Sequence, residues 1–346
     1  VSGDAQERDL KDAKGNSNYQ VRNVGLSMAN SLSRWDDVKS ASSAWRKTNK
    51  NESGFQNIGK VDIWGGSDAT PVTGLLANFG TIKNGDGSTA GFVNVDHGNA
   101  IVATDGSIIH NLKDSEITVT GKYKKPTNPP TQGRNANRSD DSKVSGENYG
   151  IVGISDGFVD YNFSDLNNHS GVDNSIEIKH EDGKIYVEGD LAVGIYAANK
   201  KYDDGTDGAD QNRVTIKYDN KNAAAPNLID LNNGSTDKEK RDIGIALVNE
   251  VKDMANPANR GGIITLNTKN TVGTPDFVTK YRGIGIYGES TDIKFQNGST
   301  GLTVETKNDG AGIWLTDDSH VGVTGDHNSR TYNYTYTGDN DKKGFG

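Results

Sequence analysis

Adjacent acidic residues are the feature of this sequence that comes nearest to catalytic chemistry. They occur as five pairs, Asp36–Asp37, Asp140–Asp141, Glu181–Asp182, Asp203–Asp204 and Asp317–Asp318. Glycoside hydrolysis uses two carboxylates held about 5–9.5 Å apart across a cleft. A chain with 47 acidic residues among 346 contains neighbouring acids by chance, and most of these pairs follow apolar runs, where turns are expected. The pairs therefore give no residue a catalytic role.

Other catalytic or metal-binding chemistry is equally weak in the sequence. The six histidines could serve a Ser-His-Asp arrangement, but positions on the surface or at turns account for them more simply. Cysteine is absent, which excludes disulfides, thiolate metal sites and cysteine nucleophiles. The Asp-rich stretches at 84–89 and 202–210 lack the spacing and the final Glu of a calcium-binding loop. We expect no catalytic residue, no metal and no cofactor, and hence no enzyme.

Three aromatic residues occupy equivalent places in copies of a short apolar motif. In AVGIYA, at 192–197, the branched aliphatic residues share one predicted strand face, so Tyr196 lies on the other face together with Gly194. The same alternation gives Tyr287 and Trp314 equivalent positions. Flat aromatics on a sheet surface suit the binding of sugars or proteins, and these three are the candidate receptor-binding residues. Packing against neighbouring turns is the alternative, and the sequence leaves it open.

Copies of that motif form a weak internal repeat along the chain. A small residue, then Ile or Val, then Gly and Ile recur around Gly153, Gly194, Gly244, Gly285 and Gly312. Short runs of alternating apolar residues lie between the copies and are bounded by Gly, Asn or Asp. Recurring short strands with polar turns are typical of stacked coils. The sequence therefore predicts an all-β fold, a parallel and right-handed β-helix (solenoid) of roughly twelve coils with about 24 residues each.

The N-terminal segment shows a different period. Its apolar residues fall three or four apart, at Val24, Met28, Leu32, Trp35, Val38, Ala41 and Trp45. This spacing predicts an amphipathic helix over about 18–47 that caps the first coil near Ile58–Trp64. We expect residues 1–57 to form the helical cap segment and residues 58–346 to form the β-helix region, with a long loop inserted at about 122–145.

Composition and charge restrict the setting. Glycine accounts for 43 of 346 residues and hydrophobic residues for only 32%, which disfavours a helical bundle. No stretch approaches the ~20 apolar residues of a membrane helix, so we expect that this fragment does not span a membrane. A net charge of −9 argues against nucleic acid as a partner, because nucleic-acid binding is driven by basic clusters. We expect a monomer.

The motifs VGIYAANK (193–200) and GIGIYGES (283–290), together with the Asn-, Asp-, Gly- and Lys-rich turns, resemble passenger domains of monomeric (type V) autotransporter adhesins. The likeness is to the giant fusobacterial outer-membrane adhesins of the RadD-like group. It implies a right-handed β-helix displayed at the outer membrane of a Gram-negative cell or secreted. It also implies a non-catalytic adhesin that binds a protein or glycan receptor on a host cell or a neighbouring bacterium. The alternative is a β-helical carbohydrate-active enzyme, either a polysaccharide lyase or a tailspike-like glycoside hydrolase.

Overall fold

Short strands separated by polar turns make up the described fold. The structure is a computed structural model, and it describes residues 8–11, 17–21, 24–29, 54–63, 71–78, 80–104, 106–120, 147–155, 175–199, 214–221, 228–233, 241–249, 262–269, 274–279, 283–296, 298–299, 301–306, 310–317, 319–323 and 335–336. The strands are β1 (Arg8–Lys11), β2 (Ser17–Val21), β3 (Val24–Ala29), β4 (Gly54–Asn57), β5 (Lys60–Ile63), β6 (Val72–Asn78), β7 (Thr81–Asn84), β8 (Phe92–Asp96), β9 (Gly98–Thr104), β10 (Ile108–Asn111), β11 (Glu116–Thr120), β12 (Glu147–Ser155), β13 (Ile176–Glu181), β14 (Lys184–Gly189), β15 (Leu191–Asn199), β16 (Val214–Asn220), β17 (Leu228–Asn233), β18 (Ile243–Asn249), β19 (Gly262–Thr268), β20 (Phe277–Thr279), β21 (Ile284–Glu289), β22 (Thr291–Phe295), β23 (Thr303–Thr306), β24 (Ala311–Thr316), β25 (His320–Val323) and β26 (Thr335–Tyr336).

Every third strand stacks in the same sheet. Apart from the antiparallel pair β1–β2, the strands form three parallel sheets of eight strands each. Sheet 1 runs from β3 to β24, sheet 2 from β4 to β25 and sheet 3 from β5 to β26. One strand from each sheet makes one coil, so coil 1 is β3–β5 and coil 8 is β24–β26. The predicted all-β parallel solenoid is confirmed, and the described residues contain no helix.

The stack has fewer coils than the sequence predicted. A uniform coil of about 24 residues implied roughly twelve coils, whereas the described strands form eight. One coil extends from Leu75 to Ile101, and the next extends much further, from Ile101 to Ile151. The number of residues per coil therefore varies about twofold along the stack. At about 4.8 Å between strands, eight coils span about 34 Å.

Branched aliphatic side chains fill the space enclosed by the three sheets. The column from sheet 1 comprises Leu75, Ile101, Ile151, Ile195, Ile245 and Ile286, and the column from sheet 2 comprises Ile82, Ile109, Ile178, Ile216, Ile264 and Ile293. Sheet 3 supplies Val93, Ile117, Ile185, Ile229, Phe277 and Val304. Each of these columns repeats one residue position from coil to coil. Stacked β-branched side chains suit a pleated surface, which explains why Ile dominates the repeat.

The glycine of the repeat lies where the next coil passes too close for a side chain. Strand register aligns Gly150 with Gly194, so Gly150 and not Gly153 is the equivalent position. A Cβ on Gly194 would lie 2.6 Å from the carbonyl oxygen of Gly244. Gly194 therefore lies on the core side, and its predicted place beside Tyr196 on the outer face is wrong. Gly194 and Ile195 are consecutive and both face the core, so simple alternation of the side chains fails there.

Hydrogen-bonded asparagines occupy the corner between sheets 2 and 3. Asn57 Nδ2 donates to Asn84 Oδ1, and Asn84 Nδ2 donates to Asn111 Oδ1, both at 2.8 Å. Asn111 Nδ2 lies 3.0 Å from Nδ1 of His180. Because Asn111 Oδ1 already accepts a bond, its amide nitrogen donates and His180 Nδ1 accepts. All four side chains are buried. We call these four residues the asparagine ladder.

Aromatic rings continue this corner where the ladder ends. The ring of Tyr218 in coil 5 stacks on His180 with centroids 5.6 Å apart. Phe277 in coil 6 then packs on Tyr218 at 5.2 Å. Polar residues in coils 1–4 and rings in later coils therefore fill one continuous internal column, which fixes the register of the stack.

The prediction of an N-terminal helix is wrong for the part of that segment that the structure describes. Strands β2 and β3 occupy positions 17–21 and 24–29, and β3 pairs in parallel with β6, with Leu26 opposite Leu75. Val24, Leu26 and Met28 also alternate with period two, which favours a strand once a neighbouring strand is available to pair with it. The solenoid thus begins before the predicted boundary at 58. The remainder of the predicted cap, from residue 30, lies outside the described residues.

The predicted insertion at 122–145 also lies outside the described residues, between β11 and β12. Among the residues that the structure places, no helix is long and apolar enough to cross a membrane.

Candidate functional site

The three aromatic residues singled out from the sequence lie in one column on the outer surface of sheet 1. Strand register places Tyr196 next to Ala246, Ala246 next to Tyr287, and Tyr287 next to Trp314. Tyr287 and Trp314 are therefore neighbours, separated by about 4.8 Å between strands, and Tyr196 lies two strands further along. The same column continues N-terminally through Val152, Val102 and Leu76. We call it the outer column.

The outer column is buried in coils 2–4 and most exposed in coil 8. Leu76, Val102 and Val152 are buried and form, with Ile154, an apolar cluster separate from the main core. Tyr196 packs against this cluster, and its ring meets Tyr149 edge-on at 5.8 Å. At the other end, Trp314 is 41% exposed and is one of few large hydrophobic side chains that are exposed in the described chain. Tyr196 therefore packs against its neighbours, which is the alternative that the sequence left open. The part of the outer column that is open to solvent is its Tyr287–Trp314 end.

Polar groups surround that open end. The guanidinium carbon of Arg241 lies over the Trp314 ring, 4.9 Å from its centroid, in cation–π contact. The Tyr287 hydroxyl donates to Glu289 Oε2 at 3.3 Å and lies 3.4 Å from Thr316 Oγ1. The arrangement combines a flat apolar surface with a cation, a carboxylate and two hydroxyls. We call these five residues the Trp314 site.

A packed sheet supports the Trp314 site. Ala246 in the outer column is 2% exposed, and Ile286, which precedes Tyr287, is fully buried in the core. Side chains on paired strands above such a core have little freedom to rearrange. A ligand that binds here therefore meets a preformed surface and orders few side chains on binding.

Sequence reasoning found two of the five residues of the Trp314 site. Glu289 and Thr316 each lie two positions after an aromatic of the column on the same strand, so period-two spacing could have identified them. Arg241 precedes β18 in coil 6 and reaches Trp314 in coil 8. No spacing in the sequence signals a contact between residues two coils apart, because the lengths of the connecting segments are irregular.

The acidic pairs of the sequence do not assemble a catalytic centre in the described chain. Glu181 binds Lys221 Nζ at 2.7 Å, and Asp182 accepts the backbone N–H of Lys221 at 2.7 Å. Asp182 and Asp317 have positive φ angles of 48° and 43°, as turn residues do. Asp318 and the other three pairs lie outside the described residues.

Two carboxylates that the sequence did not single out share a column on the outer surface of sheet 3. Strand register places Asp96 and Glu188 two coils apart, a strand separation of about 10 Å. His97 Nδ1 lies 2.6 Å from Asp96 Oδ1. Glu188 is fully buried, accepts a bond from the Tyr186 hydroxyl, and accepts another from Asn232 Nδ2 at 3.0 Å. The two carboxylates thus share one column, with Glu188 enclosed by its hydrogen-bond partners.

A sequence pattern that our sequence interpretation passed over is GISDG at 153–157, which has the Gly-x-Ser-x-Gly form of hydrolase nucleophiles. Ser155 ends β12 and is fully buried. It aligns with Asn199 of the next coil. The serine of such a motif must be exposed at a turn to act as a nucleophile. Ser155 is instead buried at the end of its strand, as a corner residue of the solenoid is.

Lysines line the outer surface of sheet 2 and pair with acids from neighbouring positions. Lys179 and Lys217 both bind Glu177 Oε1, at 2.8 and 2.9 Å. Burial opposes ionisation of Glu177, but the hydrogen bonds from the two lysines prevail and lower its pKa to about 2. Burial, and then the charge of Lys179, lower the pKa of His110 to about 4. This surface is a network of ion pairs along the stack.

Within the described part of the chain, no group of three or more His, Cys, Asp or Glu side chains could hold a metal ion. Comparisons of the chain with known protein families, with curated proteins and with solved structures find no match.

Proposed function

We propose that this chain is part of a bacterial surface adhesin, a non-catalytic β-solenoid that binds a receptor on a host cell or a neighbouring bacterium. The observation that carries the proposal is the Trp314 site, an exposed aromatic surface with polar groups at the open end of the outer column. Sugars present C–H faces to aromatic rings and hydroxyls to polar side chains, and protein receptors use the same kinds of contact.

The resemblance to autotransporter passengers supplies the setting of this proposal. A surface adhesin of a Gram-negative cell needs a stiff scaffold that holds a binding surface away from the membrane. Eight stacked coils with a continuous aliphatic core meet that need, because each coil is stabilised by its neighbours. In this proposal the protein acts as a monomer, displayed at the outer membrane or secreted.

Binding of the purified protein to cells, with matched variants, tests the proposal. Trp314→Ala and Tyr287→Ala should each weaken binding at least tenfold, because they remove the aromatic surface. Ile58→Ala is the matched control, since Ile58 is 54% exposed and lies in coil 1, at the far end of the stack. The proposal fails if both aromatic variants bind cells as the unchanged protein does, with all variants equally stable to heat.

The enzyme alternative is favoured by one observation, the placement of Asp96 and Glu188 in one column. In that case, release of reducing ends or of unsaturated sugars should be measurable across a panel of polysaccharides. Asp96→Asn and Glu188→Gln should abolish it while keeping their shapes and thermal stability. No product from any polysaccharide would remove this alternative.

A further inference from the structure

Arg241 distinguishes the Trp314 site from a simple aromatic platform. Its guanidinium lies over the indole ring, and within the described chain no carboxylate lies within ion-pair distance of it. Elsewhere in the described chain Lys179, Lys217 and Lys221 each have an acidic neighbour. The described contacts of Arg241 therefore leave its positive charge available to a ligand.

We propose that the ligand of the Trp314 site is a glycan whose contacting sugar carries a carboxylate, such as a sialic acid or a uronic acid. This inference rests on the proposed function and names its ligand class. The guanidinium donates through a planar fork that matches a carboxylate with two parallel hydrogen bonds.

The rest of the site fits the remainder of such a sugar. The exposed part of the Trp314 indole offers apolar surface to the C–H groups of the ring. Glu289 and Thr316 provide acceptors for sugar hydroxyls, close to the Tyr287 hydroxyl. One strand spacing of about 4.8 Å separates Tyr287 from Trp314, so the pair forms a surface for one or two sugar units.

The charges of the site also select against other ligands. A neutral sugar can accept hydrogen bonds from the guanidinium but brings no charge to pair with it. A polyanion with many charges would be repelled by Glu289 and by a protein of net charge −9. A sugar with a single carboxylate avoids both problems, because its one charge is directed at Arg241 while its hydroxyls face Glu289.

Calorimetric titration of the purified protein with matched sugars tests this inference. Sialyllactose is compared with lactose, and a short hyaluronan fragment, which carries glucuronic acid, is compared with its carboxyl-reduced form. The acidic member of at least one pair should bind about 10- to 100-fold more tightly, the value expected for a charge-assisted pair of hydrogen bonds. The pair that shows the difference identifies sialic acid or uronic acid as the source of the carboxylate.

Variants assign the effect to Arg241. Arg241→Gln should reduce binding of the acidic sugar to the level of its neutral counterpart, whereas Trp314→Ala should abolish binding of both, and Ile58→Ala should leave both unchanged. Sulfolactose, which has a sulfate in place of the carboxylate sugar, should bind more weakly than sialyllactose. Equal binding of acidic and neutral sugars, or no binding of any of them, overturns the inference. The proposed function then still stands if Trp314→Ala abolishes attachment to cells, and fails with it if that variant attaches normally.

Discussion

Replacing Asn84 by alanine tests whether the asparagine ladder holds the first coils in register. Asn84 is fully buried, accepts a hydrogen bond from Asn57 and donates one to Asn111, both at 2.8 Å. Alanine removes both bonds and leaves Oδ1 of Asn111 without its donor inside the stack. The substitution therefore affects coils 1, 2 and 3 together.

The loss of stability expected for Asn84→Ala follows from the hydrogen-bond partners that remain. A buried polar atom left without a partner costs about 1–3 kcal/mol, and an ordinary lost hydrogen bond about 1 kcal/mol. Nδ2 of Asn57 keeps its second bond, to the carbonyl of Phe92 at 3.1 Å, so the larger cost falls on Asn111. With the small cavity included, we expect the free energy of unfolding to fall by about 3–5 kcal/mol.

The matched control is Asn57→Ala, which removes the end of the ladder. Asn57 donates to Asn84 and accepts the backbone N–H of Gly59, so this variant leaves Asn84 Oδ1 without its donor but keeps the bond between Asn84 and Asn111. It should cost about 2–3 kcal/mol. Urea denaturation followed by circular dichroism measures both values. Hydrogen exchange should show the loss of protection in Asn84→Ala concentrated in coils 1–3, because stacked coils depend on their neighbours. A loss of protection in coil 3 that is as large in Asn57→Ala as in Asn84→Ala, or a loss of stability below about 1 kcal/mol for Asn84→Ala, would refute this reasoning.

Three further predictions concern the stack and its surface. Gly244→Val should lower the free energy of unfolding in urea by about 3 kcal/mol or more, because a Cβ there lies 2.5 Å from the Gly285 carbonyl oxygen. The control Ala100→Gly, in the equivalent position of coil 3, should lower it by about 1 kcal/mol. The pKa of Glu177 is lowered from 4.5 to about 2, so its contribution to stability is present above pH 4.5 and is lost as the pH falls towards 2; Lys179→Gln combined with Lys217→Gln should flatten this part of the stability profile. The pKa of His110 is lowered from 6.5 to about 4, so the fold favours the neutral side chain and stability falls as the pH drops from 6.5 to 4. His110→Gln should remove this dependence of stability on pH. An unchanged dependence in thermal melts would contradict its assignment to His110.

Local pattern was sufficient to predict the architecture of this protein. Period-two alternation and the recurring glycine motif predicted stacked parallel strands and the shared column of Tyr196, Tyr287 and Trp314. The column follows from the repeat, because residues at the same place in successive copies of the motif lie side by side once the coils stack. Whether these residues bind a receptor stays a prediction.

Features that depend on contacts between particular coils could not be predicted from local sequence pattern. Gly194 faces the core, and a side chain there would meet the carbonyl oxygen of Gly244 in the next coil; no local rule contains that contact. The segment from Val24 to Met28 satisfies helical and strand spacing at once, and pairing with β6 decides between them. Arg241 reaches Trp314 across two coils, so sequence spacing carries no sign of their contact.

Fluorine NMR of protein labelled with fluorotryptophan tests the central claim, that ligands bind at the open end of the outer column. The chain has four tryptophans, Trp35, Trp45, Trp64 and Trp314, and Trp314→Phe assigns the resonance of the last. On titration with sialyllactose, and with lactose as its neutral counterpart, we predict that the Trp314 resonance moves in a saturable way while the other three stay in place. A Trp314 resonance that remains unchanged while another tryptophan responds would contradict the account.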